Sequence, residues 1–292
     1  MLSHLPPREP KEIVREALRK QCIDALYVGF SGGKDSSVVA HFAATNFPEL
    51  FKGCIFCDTG IKAKEALEFV ESYCKEMDWP LFIVHPDRSF EQIVDENGFP
   101  GPDVHTFIMR YLKYIPMRKF ITACYAEGEK PAILSGVRKA ESVRRGINAR
   151  DEVYKDGKMI FISPVIYKSD SWMYAYYTEH KLKRSGVYNT LHISGDCLCG
   201  CFSKPGEAKL LEIFHPDVAR QISGLEKKIA RGDCKKEALK HPTWGKQAGM
   251  VHAEEQDQID KFLCNDCYFD RKDDSEEFLK EMDAIEKKLE QI

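Results

Sequence analysis

The chain has 292 residues, of which 43% are hydrophobic and 30% charged, and its formal net charge is −3. This is the composition of an ordinary globular protein, and it excludes a broadly basic surface built for nucleic acid or membranes. No apolar run is as long as a membrane span, and the opening MLSHLPPREPKEIV lacks the apolar core of a signal peptide, so a cytoplasmic protein without membrane contact is expected.

The first element is a helix in PKEIVREALRKQ, where Ile13, Val14, Ala17 and Leu18 fall at helical spacing behind Pro10. IDALYVGF (Ile23 to Phe30) reads as a buried strand, and SSVVAHFAATN after the glycines as a helix. The alternation then repeats: GCIFCD is a strand, KAKEALEFVESYCKEM a helix, LFIVHP a strand, MRKFITACYAEG a helix and PAILSGVR a strand. Strands separated by helices of this length predict a parallel sheet covered on both faces, an α/β doubly wound fold. Near residue 190 the character changes to cysteines, glycines and helical stretches. Residues 1–190 are therefore expected to form the sheet domain and 191–292 a Cys-rich, mainly helical appendage. Its last helix, DDSEEFLKEMDAIEKKLEQI, carries a stripe of Phe278, Met282, Ile285 and Leu289 that reads as an amphipathic packing face.

The segment VGFSGGKDSSVVAHF carries the first chemistry. Glycines between a strand and a helix let backbone amides turn toward an anion at the helix N-terminus. Ser31, Gly32, Gly33, Lys34, Asp35, Ser36 and Ser37 supply amides, hydroxyls and one cation. A Walker loop would need Ser or Thr directly after the lysine and a glycine six residues before it; Asp35 follows Lys34, and Gly29 is one residue too close.

SGGKDS closely resembles the SGGxDS signature of the PP-loop ATP pyrophosphatases, the adenine nucleotide α-hydrolases. Three further segments resemble the phosphoadenosine phosphosulfate reductase family within that superfamily. FCDTG ends the second strand with Asp58, Thr59 and Gly60, followed by Glu65; SGVRKAESVRR carries Gly136, Arg138, Arg144 and Arg145; and ISPVIYKSDSWMYAYYTEHKL leads into the cysteines. Lys113 matches a basic position of the family more weakly. The resemblance spans roughly residues 20–205. It implies an adenine nucleotide held by the loop, by Asp58, Thr59 and Gly60, and by Gly136, Arg144 and Arg145, with Lys34, Asp35 and Arg138 as the catalytic residues.

The second chemistry is in GDCLCGCF and FLCNDCYFD. Thiolates bind soft metals, and Cys-x-x-Cys lets two side chains reach one centre. A four-ligand site from Cys197, Cys199, Cys264 and Cys267 is expected, with Cys201 or Cys234 as alternative ligands. Zinc and a 4Fe-4S cluster both suit these thiols, and the resemblance favours the cluster. Cys54 and Cys57 share Cys-x-x-Cys spacing but lie in a predicted strand, where they point to opposite faces and read as structural. Cys22, Cys74 and Cys124 read as small buried hydrophobes, and His192, His215, His241 and His252 as ordinary histidines rather than ligands.

Two reactions suit the resemblance. In one, the loop holds ATP and Mg²⁺, an acceptor oxygen attacks the α-phosphorus, and the adenylate is then displaced by sulfur; tRNA, DNA or a small molecule is the acceptor, and a sulfur-donor protein a partner. In the other, a thiolate attacks the sulfur of phosphoadenylyl sulfate, which normally requires a Glu-Cys-Gly segment near the C-terminus. No such segment follows Cys267, and the loop motif is complete, so adenylation is favoured. A non-catalytic nucleotide sensor within a modification complex is the third reading.

Overall fold

The structure is a computed structural model that describes residues 8–141 and 151–245. Arg144, Arg145, Cys264, Cys267 and the C-terminal stripe lie outside the described residues.

Six strands form one sheet in the order β3-β2-β1-β4-β6-β5: β1 Ala25–Gly29, β2 Phe51–Cys57, β3 Leu81–Val84, β4 Pro131–Leu134, β5 Val153–Asp156 and β6 Met159–Ile162. All neighbouring pairs are parallel except β5 with β6. Period-two alternation sends Leu26, Val28, Cys54, Phe56, Ala132 and Leu134 to one face, and Ala25, Tyr27, Ile55 and Ile133 to the other. The first face is covered by α1 (Pro10–Gln21), α2 (Lys34–Asn46), α3 (Lys64–Glu76) and α7 (Asp170–Glu179). The second face is covered by α6 (Ile115–Ala126), through Met117, Ile121 and Cys124.

Cys54 and Cys57 do take opposite faces, as the strand reading requires. Cys22 departs from expectation: it is exposed, in the left-handed conformation that ends α1 with a φ of 51°. The β5–β6 hairpin was not foreseen; it turns through Gly157 and Lys158, with Gly157 at a φ of +60°.

Beyond the C-terminal ends of the strands lies a second core. α4 (Phe90–Asn97) and the helical run α5 (His105–Met109), a π-helical turn (Arg110–Tyr114) and α6 lead into it from the sheet. α8 (Tyr188–Leu191), α9 (Glu207–Phe214) and α10 (Pro216–Ala230) complete it, and the expected boundary at residue 190 falls inside α8. Ile61, Ala63 and Ala66 from the sheet half pack with Leu191, Leu198, Leu211 and Leu225 from the helical half in one continuous apolar cluster. The cysteine segment is thereby fixed against the edge where the strands end.

Candidate active site

The chain runs from β1 outward through β2 and β3, then returns to place β4 on the other side of β1. The strand order thus reverses between β1 and β4, and the loops after these two strands flank the crevice in which open α/β sheets hold their ligands. The loop after β1 carries Ser31 to Gly33, and the loop after β4 carries Gly136 and Arg138.

Gly32 has a φ of +76°, and a Cβ on it would lie 3.0 Å from the Phe69 ring, so both conformation and space call for glycine. Gly33 caps α2 without a side-chain hydrogen bond, which leaves the helix N-terminus with no side-chain cap. The serines hold the turn together. Ser36 Oγ donates to Gly33 O at 2.9 Å, Ser31 Oγ lies 3.3 Å from Ser36 Oγ, and Ser37 Oγ donates to Lys183 O at 2.9 Å. Gly136 brings the β4 loop against the start of α2, since a Cβ there would stand 3.1 Å from the Asp35 carbonyl carbon.

The two expected catalytic cations are both buried. Arg138, 2% exposed, donates from Nε to Asp35 Oδ2 at 2.8 Å and from Nη2 to Asp170 Oδ1 at 2.6 Å. Burial opposes its charge, but Asp35 and Asp170 outweigh burial and hold its pKa above the ordinary arginine value. Lys34 Nζ lies 3.7 Å from Asp35 Oδ1 and 4.0 Å from the centroid of the Tyr174 ring. Asp35 Oδ1 is buried and has no hydrogen-bond partner among the described residues. Two cations and two carboxylates therefore meet beneath the loop. Asp170 and Tyr174, both on α7, carry no local signal in the sequence: a partner about 135 residues along the chain from Asp35 leaves no short-range pattern.

On the neighbouring strand, Asp58 Oδ1 accepts from Lys62 Nζ at 2.6 Å and from the Gly60 amide at 3.1 Å. Thr59 is fully buried, and its hydroxyl lies 3.0 Å from both Ile61 O and Asp196 O. The Asp58–Gly60 loop is thus stitched to the cysteine loop. The Ala63 amide donates to Gly195 O at 2.9 Å, and the Leu198 amide to Ile61 O at 2.8 Å.

A half-buried ion pair fixes the same loop from the other side. Lys113, in the π-helical turn, bonds to Asp196, whose other oxygen accepts from Ser194 Oγ at 2.6 Å. Burial alone would raise the Asp196 pKa, but Lys113 and Ser194 hold it below the ordinary carboxylate value. Asp196 was missed in the sequence, while Lys113 was noted only for its weak match. Trp244 closes the loop with a 2.9 Å hydrogen bond from its indole nitrogen to Leu198 O.

Within this frame Cys199, flanked by Cys197 and Cys201, is pushed up to about 12, with Cys197 opposing and Cys201 and burial raising it. The neighbouring Cys199 thiol and burial push the Cys197 thiol well up. Burial pushes Cys57 up to about 12, with Lys113 opposing and Asp196 and Cys197 adding. Three adjacent thiols are a donor set for a soft metal, but among the described residues no group of three or more His, Cys, Asp or Glu converges on one metal position. The other two expected ligands, Cys264 and Cys267, lie outside the described residues. No helix among the described residues is long and apolar enough to cross a membrane.

A doubly wound sheet with a glycine-rich loop at its reversal point defines a nucleotide-binding α/β protein. Residues 25–207 match the family model of the phosphoadenosine phosphosulfate reductase domain, more than half of the chain, and the protein belongs to that family. It carries the adenine-nucleotide-binding domain of that family. A curated relative, an uncharacterized protein of Methanocaldococcus jannaschii, is 27% identical over 224 residues, covering 71% of this chain and 51% of the relative. The chain thus spans about half the length of the curated relative it matches. Among solved structures, phosphoadenylyl-sulfate reductase from Candida auris in complex with phosphate is similar with a TM-score of 0.44 and 19% identity, over 63% of this chain and 85% of that one. The U34-tRNA thiolase NcsA of Methanococcus maripaludis, with its [4Fe-4S] cluster, gives a TM-score of 0.46 and 17% identity over 76% of both chains. Candida glabrata FMN adenylyltransferase with FAD and inorganic pyrophosphate gives 0.44 and 15%, over 62% and 59%.

Proposed function

We propose that the protein is an ATP pyrophosphatase-type enzyme that adenylates an acceptor and prepares it for sulfur insertion. The observation that carries this reading is the complete SGGKDS loop at the β1/β4 reversal, opening a helix whose cap supplies no competing side chain. Bound with Mg²⁺ as part of the substrate, the triphosphate would lie across the start of α2. There the backbone amides of the turn and the Ser31 hydroxyl would meet its oxygens, while Ser36 and Ser37, whose hydroxyls donate to Gly33 O and Lys183 O, would offer their amides and hold the turn in shape. Asp58, Thr59 and Gly60 would line the crevice on the β2 side and Gly136 on the β4 side, with Arg144 and Arg145, outside the described residues, as further expected phosphate ligands.

The reaction would be an in-line displacement. An acceptor oxygen bonds to the α-phosphorus, the α–β bridging bond breaks, and pyrophosphate leaves with the electron pair. Sulfide-type sulfur then bonds to the activated acceptor carbon and AMP departs with the acceptor oxygen. Lys34 and Arg138 contribute by holding Asp35 and the loop in one arrangement, with their charge placed beneath the phosphates. Cys197 and Cys199, with Cys264 and Cys267, would hold a 4Fe-4S cluster, or zinc in its place. A cluster would supply a site for binding sulfur or passing electrons. The stitched contacts of Asp196 and Thr59 keep the first of these thiols beside the nucleotide crevice. The acceptor is tRNA, DNA or a small molecule, and a sulfur-donor protein is an expected partner in a cytoplasmic enzyme.

The test is acceptor-dependent release of AMP and pyrophosphate from ATP by anaerobically purified protein, with Lys34→Ala and Arg138→Ala as controls. Release by the wild type that both substitutions abolish supports the proposal. Undiminished release in both variants would remove the site from this loop. A second reading, reduction of phosphoadenylyl sulfate, is favoured by the family match over residues 25–207. It requires a thiolate to attack the sulfate sulfur, and the cysteine loop would be its source.

A further inference from the structure

α7 lies along α2, and the two helices touch turn after turn. At its start Asp170 holds Arg138 and through it Asp35, and one turn on Lys34 Nζ sits over the Tyr174 ring. At its far end Tyr176 and His180 close on His41 of α2. His41 Nδ1 lies 3.0 Å from the Tyr176 hydroxyl, and the His41 and His180 rings pack against each other with centroids 4.5 Å apart and planes inclined at 33°. The Tyr176 ring also packs on His180, at 4.3 Å. His41 is half-buried and His180 exposed, so protons reach the pair from one side.

From this end of α7 the chain runs straight back to the glycine turn. Leu182 is buried in the core, Lys183 O accepts from Ser37 Oγ at 2.9 Å, and the Ser185 amide donates to Gly32 O at 2.8 Å. Ser37 and His41 are four residues apart on α2, so one helix face carries both the histidine pair and the first of these anchors.

Two neutral imidazoles pack ring against ring, and a single proton leaves one cation beside an aromatic face. A second proton sets like charges a ring's width apart, and repulsion replaces packing. The surroundings do not relieve it. Among the described residues His180 is the charged group that acts on His41, and burial first and His180 second hold the His41 pKa below the ordinary histidine value. Tyr176 is pushed up to about 12 by burial and by Glu179, so it stays a neutral hydroxyl. The nearby Lys183 is paired with Glu76 of α3 at 2.6 Å, and Lys181 follows His180 in the chain. The lowered folded value gives the sign. The contribution of His41 is complete above the unfolded value near about 6.5 and is lost as pH falls through the folded one.

We propose that His41 and His180 form an acid-sensitive clasp: protonation of both frees the end of α7 from α2 and loosens the segment that anchors the glycine turn. The clasp itself needs no ligand, and its consequence for nucleotide binding rests on the reading given above.

The experiment is amide hydrogen exchange on the full chain, without nucleotide, at pH about 7.5 and about 5.5, with rates corrected for the intrinsic effect of pH. In wild type the protection of the Lys183 and Ser185 amides is expected to fall about fivefold or more on acidification. In His180→Asn, which takes no second proton, it is expected to change by less than about twofold. The Leu26 amide, bonded to Leu50 O at 2.7 Å, is the reference for the core. Unchanged protection in wild type overturns the clasp, as does an equal fall in His180→Asn or an equal fall at Leu26. Should His180→Asn melt early, His41→Asn decides, since it keeps a polar atom toward Tyr176. Protection that no longer responds to pH supports the clasp, and a wild-type fall overturns it. Because no nucleotide is present, failure here leaves the nucleotide reading untouched.

Discussion

The glycine turn after β1 and the cysteine loop at 195–201 stand at the same edge of the sheet, yet they are built differently. The turn is largely self-made. Its shape follows from Gly32, Gly33 and the hydroxyls of Ser31 and Ser36, all within six residues of one another. The cysteine loop borrows its shape. Thr59, Ile61 and Ala63 hold it from the β2 side, Lys113 from the π-helical turn, and Trp244 from the far end of the described chain. A self-made loop can change its ligand chemistry without disturbing the fold, whereas a borrowed one ties its chemistry to the stability of everything around it.

That contrast can be broken at its strongest point, the buried charges. Arg138→Ala strands Asp35 and Asp170 without their cation and is expected to cost about 3–5 kcal/mol, read as a lowered denaturant midpoint. Arg138→Lys is expected to recover little, because one ammonium cannot span two carboxylates as the guanidinium does. A near-wild-type midpoint for Arg138→Ala would mean that the charges beneath the turn are not coupled.

Asp196→Ala is expected to cost about 3 kcal/mol by leaving Lys113 unpaired in its half-buried site. Its pH dependence carries a defined sign. The folded pKa of Asp196 lies below its unfolded value, so its contribution is complete above the usual carboxylate range near about 4. It is lost as pH falls through the folded value. Wild type should therefore lose more stability on acidification than Asp196→Ala; identical acid profiles would contradict the pairing.

Gly136→Ala sharpens the comparison at the turn itself. Its Cβ would press on the Asp35 backbone at 3.1–3.2 Å, and a cost of about 1–2 kcal/mol is expected. Nucleotide affinity should fall with it, since the start of α2 must shift. Thr59→Val is the mildest change. It removes one hydroxyl between two carbonyls and is expected to cost about 1 kcal/mol, with the loss concentrated in faster amide exchange at Leu198.

The same division explains what the sequence made legible. The parallel sheet, its covering helices and the glycine turn are written in short-range pattern: buried β1 and β4, and glycines at a strand end. Cys54 and Cys57 could be sent to opposite faces from their spacing alone. Asp170, Asp196 and Tyr174 could not be read in this way, because each acts on a partner brought near only by the fold. Cys22 was misjudged because its apolar neighbours belong to the helix it terminates, not to its own surroundings. The Gly157–Lys158 turn does carry a local signal, an Asp-Gly pair just before MIFI.

The central claim is that the turn holds the phosphates of ATP, and parallel calorimetric titration with ATP–Mg²⁺ and with phosphoadenylyl sulfate tests it most directly. Tight binding of ATP–Mg²⁺ with little affinity for phosphoadenylyl sulfate is the expected result. The reverse preference would contradict adenylation and move the search for a nucleophile to Cys197, Cys199 and Cys201.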